Sequence, residues 1–590
     1  MLYPTLNTIQ TKNIMTTVFS GMRRGLKQGD GEFYHTENLT TDCCPLAADR
    51  AKRGTVAVLD SPQGLAVKDG LVYADGADLY YNGERVPGLV LSTLPQSQPK
   101  RFVSMGAYLC VFPDNLYLNT ADMSEYGSME MSWEGDTQIS YSICKGDGTA
   151  YEKPAVSKDE PSNPENGDLW IDTSGSTHVL KQYSKAMSMW AEIASVYIKI
   201  EATGIGQSVF AGDGVRISGC KYTGSSDELK KQLEALNTTA VVRERGDNFI
   251  VVTGILDEAY TQNGGVSVKR KVPKMDFVTE CQNRLWGCYY GIEDGKTVNE
   301  IFCCKMGDFK NWEAYAGIST DSFRASCGTD GVWTGAVTYL GYPLFFKENY
   351  VHKVYVSSSG AHQIVSTAVD GVQRGSESSF AIVNDYLIYK SVSGINLFDG
   401  TQAVLISEAL GDIPYYEAAG GRLGGKYYVS MRDMEGRWNM FAYDVKKGLW
   451  IREDGTHALF FADGGDDLYY IDADTKELKT VRGTAGEAEG DFGWEAVMGV
   501  MGYEYAEKKY LSRFKLRMSL EEDGWCEIYI QYDSCGIWEK SGVIEGRGVN
   551  RTFTIPIIPR RCDHLQIRLK GKGRFRLYSF ARVLEKGSTH

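Results

Sequence analysis

Carboxylates and histidines are the residues in this chain that could do chemistry, and their spacing is the first thing to test. Asp276, Glu280, Asp321, Asp330, Asp385 and Asp399 fall near the ends of predicted strands, where acids from separate sheets could converge. A glycosidase needs two carboxyl groups facing one glycosidic bond. Strand-end acids are also ordinary turn formers, and that reading competes at each position. The seven histidines (His35, His178, His352, His362, His457, His564 and His590) show no HxH or HxxxH spacing. His352 and His362 lie ten apart across a predicted turn, which gives at most a weak case for a shared metal. Asp472 and Asp474 (DADTKE) start like a calcium loop. The sixth-position Gly and the closing bidentate Glu are absent, so the segment reads as a hairpin turn. In Ser326–Trp333 (SCGTDGVW) the Asp is out of place for an Asp-box turn. GxSxG, GxxxxGK[ST] and HExxH do not occur. No catalytic, metal or cofactor site is expected, and the chain reads as a non-enzyme.

Aromatic and basic residues give candidates for binding. Trp170 and Trp190 could stack on a sugar ring or fill a small core, and the core reading is favoured. The formal charge is −13, which argues against tight nucleic-acid binding. An acidic wall still lets a duplex slide past without sticking. The charge is uneven: residues 491–590 hold 17 Lys+Arg and 13 Asp+Glu, or +4, leaving −17 for the rest. Arg560, Arg561, Arg568 and Arg574 mark this basic region, either as a solvated face or as a docking face for an acidic partner.

These residues are carried by strand–turn–strand units. Leu65–Val86, Phe102–Asn119, Phe277–Tyr290, Ala336–Val356, Phe380–Ser407, Gly420–Trp450 and Ala458–Val481 each pair short apolar runs around Gly, Asn or Asp. Repeats that cannot bury their own faces point to a propeller. The expected fold is mainly β: a β-propeller (55–122 and 275–488) with an inserted small α+β domain (123–274) and a C-terminal β-sandwich (489–590). An N-terminal arm spans 1–54. Within the insert, Ser225–Leu236 predicts a helix capped by Ser226, with Leu229, Leu233 and Leu236 on one face. The 13 cysteines include no CxxC and sit mostly in apolar runs, as expected of synthesis in a reducing cytoplasm. The sequence has no recognisable signal peptide and no apolar run of membrane-spanning length.

Several segments carry a likeness to a known family. Glu37–Asp42 (ENLTTD), Pro45-Leu46 and Arg50–Gly54 (RAKRG) resemble the start of tail structural proteins of phages and prophages of Gram-positive bacteria. RLWGCYYG (Arg284–Gly291), YDVKKGLWIRED (Tyr443–Asp454) and PIIPRRCDHLQIRLKGKG (Pro556–Gly573) fit the same group, and GDLWID (Gly167–Asp172) is a phrase common in tail and fibre proteins. The layout also resembles tail nozzle and DNA-stabilisation proteins of short-tailed phages. The resemblance implies a propeller with platform domains, forming a homo-oligomeric ring in the virion tail and assembled in the host bacterial cytoplasm. It implies portal, adaptor or tail-tube proteins and tail fibres as partners, with transient contact to genomic DNA and a host-surface receptor as a further partner. The alternatives are a receptor- or carbohydrate-binding tail protein and a propeller glycosidase.

Overall fold

The computed structural model describes residues 10–587 apart from 26, 94, 96–98, 294 and 357–360. His590 lies outside the described residues, as do residues 1–9 of the arm. The protein is mainly β, with a β-propeller, an inserted α+β domain and a C-terminal sandwich.

The propeller sheets are four-stranded antiparallel meanders in chain order. They cover 62–90, 101–128, 277–326, 335–368, 381–405 and 415–454. Each follows from the sequence pattern: β-branched and aromatic runs form the strands, and tight turns join them. Several turn residues take left-handed backbone at Asn or Asp, including Asn82, Asn115 and Asn384. A further sheet is built differently. Ala458–Asp463, Leu468–Asp472 and Glu477–Thr480 receive Gly54–Val58 as their next strand, with Thr480 opposite Gly54 and Glu477 opposite Val58. Residues more than 400 positions apart are thereby sewn together, which covers a sheet edge that would otherwise be open.

The chain packs as two compact units, 1–100 with 344–352 and 366–590, and 101–343 with 353–365. Within the first unit, leading strands pack on leading strands: Ala381–Val383 on Tyr415–Leu423, Tyr415–Leu423 on Ala458–Asp463, and Ala458–Asp463 on Pro62–Val67. This is the face-to-face arrangement of propeller blades. The second unit repeats it with Arg101–Met105 on Phe277–Glu280 and Phe277–Glu280 on Gly335–Tyr339. About 150 intervening residues leave that blade-to-blade packing intact, as insertion at a loop tip does.

The first unit also holds the sandwich. One sheet orders Leu39–Thr40, Ala47–Asp49, Phe575–Lys586, Lys509–Leu520 and Arg551–Ile555, with Thr11–Thr16 also on Phe575–Lys586. The other orders Phe33–Glu37, Gly493–Met498, Leu565–Lys572, Trp525–Tyr532 and Glu539–Glu545. Alternation along Lys509–Leu520 puts Phe514, Leu516, Met518 and Leu520 inside. Trp494 stacks on Phe575 with ring centroids 3.8 Å apart, tying one sheet to the other. The segment read from sequence as an arm supplies strands to both sheets, so its hydrophobic residues Phe33 and Leu39 belong to this core.

In the second unit most of the insert forms two sheets over one core, and a third, small sheet spans 155–192. Met131–Gly135, Val266–Arg270, Gly214–Ser218 and Thr239–Val241 make the first. Glu244–Gly246, Phe249–Thr253, Tyr197–Glu201, Gln138–Cys144 and Tyr260–Asn263 make the second. Helix α1 (Asp227–Glu234) packs on them through Leu229 and Leu233, with Leu236 just beyond it. Ser226 caps the helix, its hydroxyl accepting the Leu229 amide at 3.3 Å. Ser226→Ala is expected to cost about 1 kcal/mol, read as faster amide exchange across 227–234 in the full-length protein.

The insert is fixed to the neighbouring propeller sheet by buried polar contacts. The Asn311 side chain donates to the Gly212 carbonyl at 2.9 Å and accepts the Gly214 amide at 3.0 Å. Lys305 reaches the same Gly212 carbonyl at 3.1 Å. A side chain at Gly214 would meet the Glu313 carbonyl oxygen at 2.3 Å, so only glycine permits this close backbone approach. Beside it, Arg270 and Asp213 form a buried ion pair at 2.5 Å.

Candidate functional site

A cavity of the second unit opens where the insert leaves and rejoins the propeller sheets. It is about 530 Å³, within the roughly 300–1,000 Å³ typical of small-ligand pockets. Five elements shape it. The turn after Tyr108–Phe112 brings Phe112, Pro113 and Asn115. The short link between Tyr126–Ser128 and Met131–Gly135 brings Glu130, and the strand Gly214–Ser218 brings Arg216. The return segment 271–275 (KVPKM) lays Lys271 and Lys274 along the rim, and the sheet 277–326 adds Glu293, Glu313 and Arg324.

The charges are unevenly satisfied. Glu130 accepts the Val272 amide at 3.1 Å and the Asn115 side chain at 3.4 Å, which fixes the return segment. Arg324 pairs with Glu300 at 3.1 Å and lies over Phe302. Arg216 and Glu313 face each other at 3.6 Å. Lys271, Lys274 and Glu293 make no ion pair among the described residues. The cleft therefore holds four cations and three carboxylates over a partly apolar floor, in a chain that is acidic overall.

The tryptophans named from sequence meet in the small sheet 155–192 of the insert. Trp170 is buried and donates to the Ser157 carbonyl at 3.1 Å. Trp190 packs edge-on against it at 5.5 Å, and Tyr183 closes the cluster at 5.3 Å from Trp190. Lys181 sits over the Trp170 ring. These rings pack edge-on or tilted against one another and form the core of a small sheet.

The four arginines lie in the sandwich, in the other unit. Arg560 pairs with Glu539 and Arg568 with Glu495, each at 2.6 Å, and both lie over aromatic rings. Arg561 is exposed. Arg574 is exposed and lines, with Arg576, Asp49 and Glu521, an open cleft of about 520 Å³. Burial raises the Asp49 carboxyl above its ordinary range, against the pull of the Phe575 amide it accepts. The four do not form one positive surface, because two of them are neutralised by glutamates.

The strand-end acids are mostly committed to backbone. Asp276 accepts the Tyr290 amide at 2.8 Å and Glu280 accepts that of Asn283 at 2.8 Å. Asp321 takes the Gly317 and Ile318 amides at 2.6 and 3.0 Å, and Asp399 those of Thr401 and Gln402, each at 2.8 Å. Asp472 holds the Asp474 amide at 3.0 Å, as a hairpin turn requires. His352 is buried beside the Phe345 carbonyl, and His362 packs on Trp286 and Phe323. Among the described residues no three His, Cys, Asp or Glu groups cluster as a metal site.

Sequence reasoning missed the insert-root cleft. Its residues come from elements as far apart as Phe112 and Arg324, and the only local signal is KVPK, two lysines around a proline, at the boundary of the insert.

No protein-family model matches the chain, and no curated protein matches it. Solved structures do. An exo-β-1,3-galactanase from Phanerochaete chrysosporium matches at 9% identity and a TM-score of 0.20, over 52% of this chain and 94% of that one. A glycoside hydrolase family 43 arabinoxylan arabinofuranohydrolase from Bacillus subtilis matches at 9% identity and a TM-score of 0.17, over 52% and 94%. AztD from Citrobacter koseri matches at 11% identity and a TM-score of 0.25, over 75% and 100%. At this distance the likeness assigns no activity. It does correct the expectation that the chain is not an enzyme: glycoside hydrolases stand among the structures it matches, so the lack of a motif excludes nothing. Two acids on separate sheets leave no local signature in a sequence.

Proposed function

We propose that this protein is a structural component of a phage virion tail, of the nozzle or tail-tip type, that assembles as a ring and presents its appended modules to neighbouring tail proteins. The observation that supports this reading most is how the modules are mounted. The insert is held by the Asn311 and Lys305 contacts to Gly212 and Gly214, beside its own buried Arg270–Asp213 pair. The sandwich is held to its adjoining propeller sheets by a buried ionic cluster around Arg50 and Arg53. Buried charge is costly to assemble and gives one geometry when it is fully paired. A platform that must offer the same docking faces in every subunit needs that fixity. In this reading the partners are other copies of the chain, portal, adaptor or tail-tube proteins, and tail fibres, with genomic DNA passing an acidic wall.

Native mass spectrometry and negative-stain imaging of the purified full chain test the proposal. Closed rings with an open channel are the expected result. A monomer that neither assembles at high concentration nor co-sediments with purified tails would sink it.

A second reading is a carbohydrate-directed tail protein, binding or cleaving a glycan. The insert-root cleft favours it, since carboxylates and cations there stand over apolar side chains in a volume suited to sugar rings. Its test is binding or turnover on polysaccharides, which is independent of ring formation.

A further inference from the structure

We infer that the insert-root cleft takes an acidic saccharide, with Lys271 and Lys274 holding the anionic group and Glu293 accepting sugar hydroxyls. This rests on the carbohydrate-directed reading and adds the ligand's charge class to it. Three observations carry the inference. The first is that the cleft's ionic groups divide into paired and unpaired sets. Arg324 and Glu130 are engaged in building the walls, whereas Lys271, Lys274 and Glu293 have no partner among the described residues. Unpaired charges of both signs in one concavity match a ligand that offers both an anion and hydroxyl donors.

The second observation separates a saccharide from a simple anion. A phosphate or sulfate site gathers donors and excludes carboxylates, which repel the ligand. Here Glu293 and Glu313 share the cleft with the cations. A carboxylate accepts only, so its natural partner is a hydroxyl or amide donor. A uronic-acid chain carries hydroxyl donors for the glutamates and a carboxylate for the lysines on the same ring.

The third concerns shape. Phe112, Pro113, Pro273 and Met275 give the cleft apolar walls against which the C–H face of a sugar ring can pack. Lys271 and Lys274 are exposed and lie on one short segment pinned by Glu130 at the Val272 amide. The backbone spacing between them is thus set before the ligand arrives, which lowers part of the ordering cost of binding.

The test is calorimetric titration of the full-length protein with oligogalacturonate and a hyaluronan tetrasaccharide as acidic probes, maltotetraose as the neutral probe, and inorganic phosphate. The comparison variant is Lys271→Gln/Lys274→Gln. Both lysines are exposed, so the variant keeps the wild-type unfolding midpoint. The expected result is that an acidic saccharide binds better than maltotetraose, and that the variant weakens it by about tenfold or more while leaving any neutral binding unchanged. Glu293→Gln weakens both kinds of saccharide. Equal binding of neutral and acidic probes, indifferent to the lysines, would overturn the charge assignment and leave the carbohydrate reading standing. Phosphate binding as tightly as the saccharides would also overturn it. No binding of any saccharide would end both.

Discussion

Replacing Arg53 by methionine is expected to destabilise the first unit by about 3–5 kcal/mol, the range for breaking a buried ion pair from one side. Arg53 immediately precedes Gly54–Val58, the strand that the sheet 458–480 borrows from the start of the chain. Its guanidinium meets Glu453 at 3.0 Å, Asp454 at 2.7 Å and the Thr456 hydroxyl at 2.8 Å, and lies over the Tyr470 ring. The Arg53 and Glu453 side chains are 6% and 3% exposed. Burial alone would lower the arginine's affinity for its proton and raise that of Asp454. The paired charges outweigh burial on both sides, so Arg53 is held above its ordinary range and Asp454 below. Methionine fills similar space but leaves Glu453 buried without its cation and Asp454 with only Arg50, 3.9 Å away. Arg50 does not reach Glu453, being held by Glu489 and the Asn38 side chain as its closer partners.

Urea unfolding followed by tryptophan fluorescence measures the loss. The pH dependence identifies its source. A carboxylate with a depressed folded pKa gives stability that is present above its unfolded pKa and disappears as pH falls through the folded one. The gap between wild type and Arg53→Met should therefore narrow in acid. Pairing Arg53→Met with Glu453→Gln should cost less than the two single losses added, since the double variant strands one fewer charge. A single variant within about 1 kcal/mol of wild type would mean that strand pairing alone holds the clasp.

How much of this was legible in the sequence depends on how far apart the partners lie. Alternation in Lys509–Leu520 and the leucine stripe of helix α1 are local patterns, and the elements follow them directly. The insert was legible because the strand rhythm stops near Tyr126 and resumes at Phe277. Phe33–Glu37 and Ala47–Asp49 were not, because short strands that complete distant sheets look like irregular lead-in until their partners at Gly493–Met498 and Phe575–Lys586 are known. Gly54–Val58 fails for the same reason. For Trp170 the core reading is favoured from sequence but not decided there, because a buried tryptophan and a sugar platform look the same in one dimension. The cleft lies beyond such reading altogether: Arg216 and Glu313 face each other only because Gly214 lets one backbone approach another.

Stability is expected to fall steadily as pH drops from about 6.5 to 4, before most carboxylates titrate, and His352 is the principal cause. The residue is fully buried beside the Phe345 carbonyl in the first unit. Burial lowers its pKa from 6.5 to about 4, against the smaller opposing effect of that carbonyl. In the folded protein the ring therefore stays neutral where the unfolded chain takes up a proton. The unfolded state binds more protons across this window, so stability rises with pH and is lost on acidification. Each pH unit costs about 1.4 kcal/mol for one such group, or roughly 3 kcal/mol over the whole window. His362 and His457 are also held low by burial, the latter stacked on Trp438 at 3.6 Å between centroids, and they act in the same direction. Urea midpoints at several pH values between 7.5 and 4.5 measure the slope. His352→Gln keeps a group able to donate to the Phe345 carbonyl but cannot be charged, so its slope should be shallower by about one proton. An unchanged slope in that variant would assign the acid sensitivity to the other buried histidines, His362 and His457, because carboxylates held low, such as Asp454, lose their contribution only below this window.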